Sequence, residues 1–179
     1  MLFLGELVLR VSVFSIRNGL GVLLAVFLSS SALAQGMAPD FSLSRLTKNQ
    51  DGSSAPLRLS DYRGTVVYLD FWASWCGPCR QSLPALEELQ KQYDPENFSV
   101  VAINLDETPQ IALSFLDDYP VTYTVLYSDN PKVQRSYNLV GLPSSFLIDQ
   151  RGEIIGSFQG FHPEHIKRLK KAIAYLLEE

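Results

Sequence analysis

Apolar residues along this chain fall into two patterns, short continuous runs and spaced recurrences, and their alternation outlines the fold. Residues 66–72 (VVYLDFW) form a short run, rich in β-branched and aromatic side chains and preceded by Gly64, which predicts a buried strand. Residues 98–105 (FSVVAINL) predict a second strand by the same reasoning, with Asp106 to Thr108 as the turn out of it. Between them, apolar residues recur at Leu83, Leu86, Leu89 and Tyr93, the spacing of a helix with one buried face. Pro84 lies inside that helix, where it removes a donor and crowds the carbonyl four residues back, so a kink is expected there.

Further along, Ile111, Leu113, Phe115 and Leu116 mark a helix over residues 109–119, stopped by Pro120. Residues 122–126 read as another strand, and Asn130-Pro131 open a short helix reaching Tyr137. This region reads as an insertion between the halves of a small α/β domain. Residues 144–149 and 153–158 form two strands around Gln150-Arg151-Gly152, a hairpin pattern. Residues 163–177 predict a closing helix, apolar at Ile166, Leu169, Ile173 and Leu176. Upstream, residues 35–56 are mostly polar loop, with one apolar alternation at Phe41, Leu43 and Leu46 suited to an edge strand. Residues 57–64 read as a short turn in which Ser60 caps one helical turn and Gly64 ends it. The order of elements suits an α/β fold, a mixed sheet with helices on both faces.

Composition narrows the class. With 179 residues and 46% hydrophobic side chains, the chain has apolar material for one domain with a substantial core. Its net charge is -4, with no basic cluster interleaved with aromatics, which sets nucleic-acid binding aside. Arg10 and Arg17 precede an apolar stretch over residues 20–33 that ends in Ala32-Leu33-Ala34 before Gln35. That pattern predicts a signal peptide over residues 1–34, leaving 35–179 as the mature domain. The alternative is an uncleaved membrane anchor, because no charged residue stands between Arg17 and Asp40, a length that can cross ~30 Å of hydrocarbon. Ser29-Ser30-Ser31 weaken that span. Either reading places the domain in the periplasm or another extracytoplasmic, oxidising compartment.

The chain has two cysteines, Cys76 and Cys79. A bridge between residues so close removes little chain entropy and ties together nothing distant, so it is a poor structural staple and reactivity explains the pair better. The dithiol stands where the first strand gives way to the first helix. A helix N-terminus offers partial positive charge and unpaired N–H groups, which favour thiolate, the reactive form of cysteine.

The stretch DFWASWCGPCR at 70–80, Gly141-Leu142-Pro143 before a strand, and the insertion ahead of that proline together resemble the thioredoxin superfamily. Within it, the chain is similar to the exported TlpA-like and ResA-like thiol-disulfide oxidoreductases, from about Ala38 to the C-terminus. The resemblance implies a thioredoxin-like fold with an insertion before a cis-proline. It implies that Cys76 is the exposed nucleophile and that Cys79 resolves the mixed disulfide. Gly77 and Pro78 would constrain the turn between the cysteines, and Trp75 would cover the site. Pro143 would be cis, holding the backbone of Leu142 beside Cys76 for an extended substrate segment to pair with. The exported relatives commonly carry a glutamate three residues after the second cysteine and an asparagine shortly before the first; here those positions hold Ser82 and Asp70. Asp70, as in thioredoxin itself, sits inside a buried strand, and desolvation would raise its pKa and suit it to proton exchange with Cys79. The lysine that thioredoxin places near that carboxylate is replaced by Ala102.

By the same resemblance, the Gly-Pro dipeptide favours a reductase, since thioredoxin lies near ~-270 mV against ~-120 mV for a strong oxidant. No cofactor is expected beyond the redox-active Cys76–Cys79 disulfide. The expected partners are protein disulfides and a membrane thiol electron donor, with the protein itself a monomer. Cytochrome c maturation is a candidate role, although the glutamate that such proteins often place after the cis-proline is Ser144 here. Three other readings stay open. A metal site could use Cys76, Cys79, His162 and His165, but two residues between the histidines are fewer than zinc sites usually have; a copper-delivery protein of this fold usually has three residues between its cysteines, and no metal is expected. A thiol peroxidase is suggested by Ala38-Pro39-Asp40-Phe41, but Ala73, Ser74 and Trp75 stand where peroxiredoxins place an activating threonine and proline. A non-catalytic binding module would have no use for an intact dithiol.

Overall fold

The computed structural model describes residues 36–46 and 55–178; the expected signal segment and part of the 35–56 loop lie outside the described residues. The two buried runs become adjacent parallel strands, β3 (Val66–Trp72) and β4 (Phe98–Asn104), paired from Val66 opposite Phe98 to Trp72 opposite Asn104. Every residue of both is buried, which is why they read as continuous apolar runs instead of alternating ones. Helix α1 (Cys79–Gln90) connects them. It is continuous across Pro84, which sits on the solvent face together with Arg80, the residue whose carbonyl loses its donor.

The remaining described elements are β1 (Ser42–Arg45), β2 (Leu57–Arg58), α2 (Pro109–Asp118), β5 (Thr124–Tyr127), α3 (Pro131–Ser136), β6 (Ser144–Ile148), β7 (Ile154–Gln159) and α4 (Pro163–Glu178). They complete a seven-stranded mixed sheet in the order β2-β1-β5-β4-β3-β6-β7. Strands β3, β4 and β5 run parallel, while β6 and β7 are added antiparallel on one side and β1 and β2 on the other.

Side chains divide between the two faces with the strand period of two. Val66, Tyr68 and Trp72 of β3, with Phe98, Val100 and Ala102 of β4, pack under Leu83, Leu86 and Leu89 of α1 and Leu169, Ile173 and Leu176 of α4. Ala112 and Leu116 of α2 join the same layer, and the Phe115 ring lies 5.3 Å from that of Trp72. On the opposite face Val67, Leu69 and Phe71 pack with Val101, Ile103, Ile148, Leu59 and Tyr137, against which Val133 of α3 rests. Helices therefore cover both faces, with the active-site helix, the inserted α2 and the closing helix sharing one of them.

Three local expectations are corrected. Residues 57–58 form a strand that covers β1, and the helical turn behind it is a 3-10 segment over Leu59–Tyr62 capped by Arg58, not by Ser60. The Asp61 carboxylate accepts the Arg58 amide at 2.9 Å, while the Ser60 amide is spent on Asp40 Oδ1 at 3.0 Å. The strand expected from residue 122 begins at Thr124, because Thr122 is held by the Glu87 carboxylate through its amide (2.7 Å) and hydroxyl (2.9 Å). The hairpin turn is longer than three residues: Asp149 Oδ1 accepts the amides of Arg151 and Glu153, and Gly152 takes a φ of 87° that a side chain would disfavour.

Candidate active site

At the carboxyl end of β3 the chain tightens before α1 begins. The Cys76 amide donates to the Ala73 carbonyl at 3.1 Å and the Cys79 amide to the Cys76 carbonyl at 3.1 Å. This brings the two cysteines together as a disulfide, with Cα atoms 5.3 Å apart. Cys79 is wholly buried, and Cys76, expected to be exposed, is also nearly sealed at 4% in the disulfide, while Gly77 and Pro78 between them are exposed. The first turn of α1 carries no acidic residue, and Arg80 follows Cys79 directly, so the charge around the helix terminus favours a thiolate.

A buried carboxylate fastens the loop ahead of Cys76. Asp106 accepts the Ser74 amide at 3.1 Å on each oxygen, the Ser74 hydroxyl at 2.9 Å, and the Asn104 side-chain amide at 2.7 Å. Its own amide donates to Asn104 Oδ1 at 3.0 Å. The end of β4 thereby holds the end of β3 through side chains as well as through the Leu105 amide, which donates to the Trp72 carbonyl at 2.9 Å.

Asp70 lies on the face of β3 that α1 and α4 cover, between Tyr68 and Trp72, and is 1% exposed. Its Oδ1 accepts the Ser145 hydroxyl at 2.6 Å, and its Oδ2 finds no hydrogen-bond partner among the described residues. Burial pushes its pKa up to about 7, with the Ser145 hydrogen bond pulling the other way. Ala102 stands opposite it on β4, so no cation comes from that strand. The Ser82 hydroxyl is turned to the Cys79 carbonyl at 3.3 Å.

The Leu142–Pro143 peptide is cis, as the resemblance implied, and Leu142 packs against the cluster that contains both cysteines. The Ser144 hydroxyl donates to the Gly141 carbonyl at 2.7 Å. Trp75 is 71% exposed and lines an open groove with Ser74, Arg80, Ile111, Phe115 and Asp118, so its ring borders the site on the side of α2. The two histidines sit at the start of α4, rings 6.1 Å apart, and burial followed by the nearby Arg168 charge holds His165 below the usual imidazole value. Among the described residues, no group of three or more His, Cys, Asp or Glu side chains converges to hold a metal ion.

Two residues of this site escape a reading by local pattern. Asp106 reads as a turn residue; the signal that could have found it is the period of β4, which places Asn104 on the inner face with Asp106 just beyond. Ser145 has no local signal, since its meaning comes from standing opposite Asp70 in the β3–β6 register.

Residues 34–173 match the redoxin family. The chain is 35% identical over 123 residues to the thiol-disulfide oxidoreductase ResA of Oceanobacillus iheyensis, covering 69% of this chain and 63% of that protein. It thus spans just under two thirds of that relative. It is also 35% identical over 129 residues to the ResA of Geobacillus kaustophilus, covering 72% of this chain and 71% of the relative. A crystal structure of a Chlorobium tepidum protein, described as a candidate thiol:disulfide interchange protein DsbE, superposes with a TM-score of 0.73 at 40% identity, covering 80% of this chain and 97% of that one. The chain belongs to the redoxin family, among thioredoxin-like proteins named as thiol-disulfide oxidoreductases.

Proposed function

We propose that this protein reduces protein disulfides in an extracytoplasmic compartment, using Cys76 and Cys79 as a two-electron dithiol. The observation that carries the reading is the Cys76–Cys79 disulfide at the N-terminus of α1, with the second cysteine sealed inside. In the reduced protein the Cys76 thiolate attacks one sulfur of a substrate disulfide. A bond forms from Cys76 to that sulfur, and the other substrate sulfur leaves with the electron pair. Cys79 then gives its proton to Asp70 and attacks Cys76 Sγ. The Cys76–Cys79 bond closes and the remaining substrate sulfur leaves as thiolate, so two electrons have passed to the substrate. A membrane-bound dithiol is the class of donor that would restore the reduced pair in an oxidising compartment.

Trp75, Gly77, Pro78, Leu142 and Pro143 form the substrate-facing rim in this reading. The exposed Trp75 ring lines the groove beside Ser74 and Arg80, and Leu142 packs against the cluster of the dithiol, where the Leu142–Pro143 segment would offer backbone to an extended peptide. General disulfide reduction is favoured over cytochrome c maturation, because the position after Pro143 is a serine whose hydroxyl is spent on Gly141. For location, the reading rests on the sequence of residues 1–34; no described helix is long and apolar enough to cross a membrane. The test is insulin reduction with a small dithiol as electron source. The wild-type protein should accelerate it and Cys76→Ser should not; equal rates with and without the wild-type protein would refute the reading.

A further inference from the structure

We propose that Ser145 is the positioning residue of the resolving step: it holds one oxygen of Asp70 and leaves the other, Oδ2, as the atom that takes the proton from Cys79. The inference rests on the reading of Asp70 as proton acceptor given above.

The placement follows from the sheet. Asp70 and Ser145 stand directly opposite each other in the antiparallel β3–β6 pair, both on the face covered by α1 and α4, and both buried. A serine hydroxyl has one proton to donate, and here it goes to Asp70 Oδ1 at 2.6 Å. That bond fixes the rotation of the carboxyl group. Oδ2, which has no partner among the described residues, is then the oxygen with free accepting capacity. A buried acceptor left open is costly unless something fills it in another state of the protein. The state described here is the disulfide, in which Cys79 carries no proton. Reduction gives Cys79, which packs in the layer over that face of β3, an S–H that can serve as a donor.

During resolution the S–H bond of Cys79 breaks, its proton goes to Oδ2, and its electron pair forms the bond to Cys76 Sγ. The substrate sulfur leaves with the pair of the broken mixed disulfide. Ser145 keeps its own proton throughout. Its position two residues beyond Pro143 means that the strand following the Leu142–Pro143 segment also sets the acceptor.

The groups around Asp70 leave this assignment to Ser145. Tyr68 of β3 and Tyr123 ahead of β5 are both pushed up, by burial first and then by the charge of Asp70, so they stay neutral while Asp70 titrates. Ser145 also stands close to the Tyr68 phenol. From α1 come Cys79 and Glu87, the latter engaged with Thr122. Ala102 of β4 and the buried Leu169, Ile173 and Leu176 of α4 carry no charge.

The experiment follows the reaction of the reduced protein with dithiobis-nitrobenzoate by stopped flow. The first release of coloured thiolate reports attack by Cys76 and the second reports resolution by Cys79. Ser145→Thr and Ser145→Val have the same shape, suit a strand, and differ by the hydroxyl. Losing a hydrogen bond that favours the carboxylate should move the pH midpoint of the second phase upward by about one unit in Ser145→Val, a roughly tenfold slower resolution on the acid side. Ser145→Thr should keep the wild-type midpoint, and in an Asp70→Asn background the two variants should coincide. A purely structural role would lower stability in Val without moving that midpoint. If Asp70→Asn abolishes the midpoint while Thr and Val agree in the wild-type background, the assignment of Ser145 is overturned and the acceptor remains. If Asp70→Asn leaves the midpoint intact, the acceptor reading itself falls.

Discussion

Asp106 grips Ser74 at three points: both of its oxygens accept the Ser74 amide at 3.1 Å, and Oδ1 also accepts the Ser74 hydroxyl at 2.9 Å. One residue, Trp75, separates Ser74 from Cys76, so the grip determines where the nucleophile's loop stands. Asp106→Ala should leave the Ser74 amide and the Asn104 side chain without their acceptor, costing about 2–4 kcal/mol of stability. Asp106→Asn keeps one accepting oxygen and should cost less. Denaturant unfolding of the oxidised proteins measures both, and a loss below ~0.5 kcal/mol in the alanine variant would show that the loop does not depend on this carboxylate.

Asp70→Asn should stabilise the fold in a pH-dependent way. Burial raises the folded-state pKa to about 7, so the ionised form is the disfavoured one in the folded protein. The penalty is absent below the unfolded value of ~3.9, grows as pH rises from there to about 7, and is constant above that. The stability difference between variant and wild type should therefore open over that window and then level off. Unfolding curves at several pH values from acid to alkaline would show it; a difference that does not vary with pH would contradict the placement of a titrating carboxyl at Asp70.

Trp75→Ala tests the rim. The ring is mostly exposed, so its removal should change stability by less than about 0.5 kcal/mol. If it forms part of a peptide-binding surface with Ile111 and Phe115, the variant should raise KM for insulin several-fold and leave kcat nearly unchanged. A lowered kcat with KM intact would place Trp75 in the chemistry of Cys76 instead of in docking.

Much of this arrangement was legible in the chain. The buried strands β3 and β4 and the helix between them follow from residue type and period, and the dithiol stands at the junction where those patterns change. The carboxylate at Asp70 was legible because a charged residue inside an unbroken apolar run must be either a site or a liability. What stayed hidden depends on contacts across the sheet. Ser145 acquires its role from the β3–β6 register, Thr122 leaves its expected strand because a distant glutamate binds it, and Asp106 looks like any polar residue after a strand until Ser74 is seen against it. Ser60 suits a helix cap by type, yet Arg58 holds that place because Leu57 and Arg58 pair with β1 and the helical turn starts directly after them.

The order of the two cysteines is the centre of the account, and trapping measures it most directly. Reduced Cys79→Ser and Cys76→Ser proteins would each be incubated with oxidised insulin and examined by non-reducing mass spectrometry. In Cys79→Ser the nucleophile survives and resolution does not, so adducts joined through Cys76 should accumulate. In Cys76→Ser the remaining thiol is buried, and no adduct should form. Adducts on Cys79 in the Cys76→Ser protein, with none on Cys76 in the other, would contradict it.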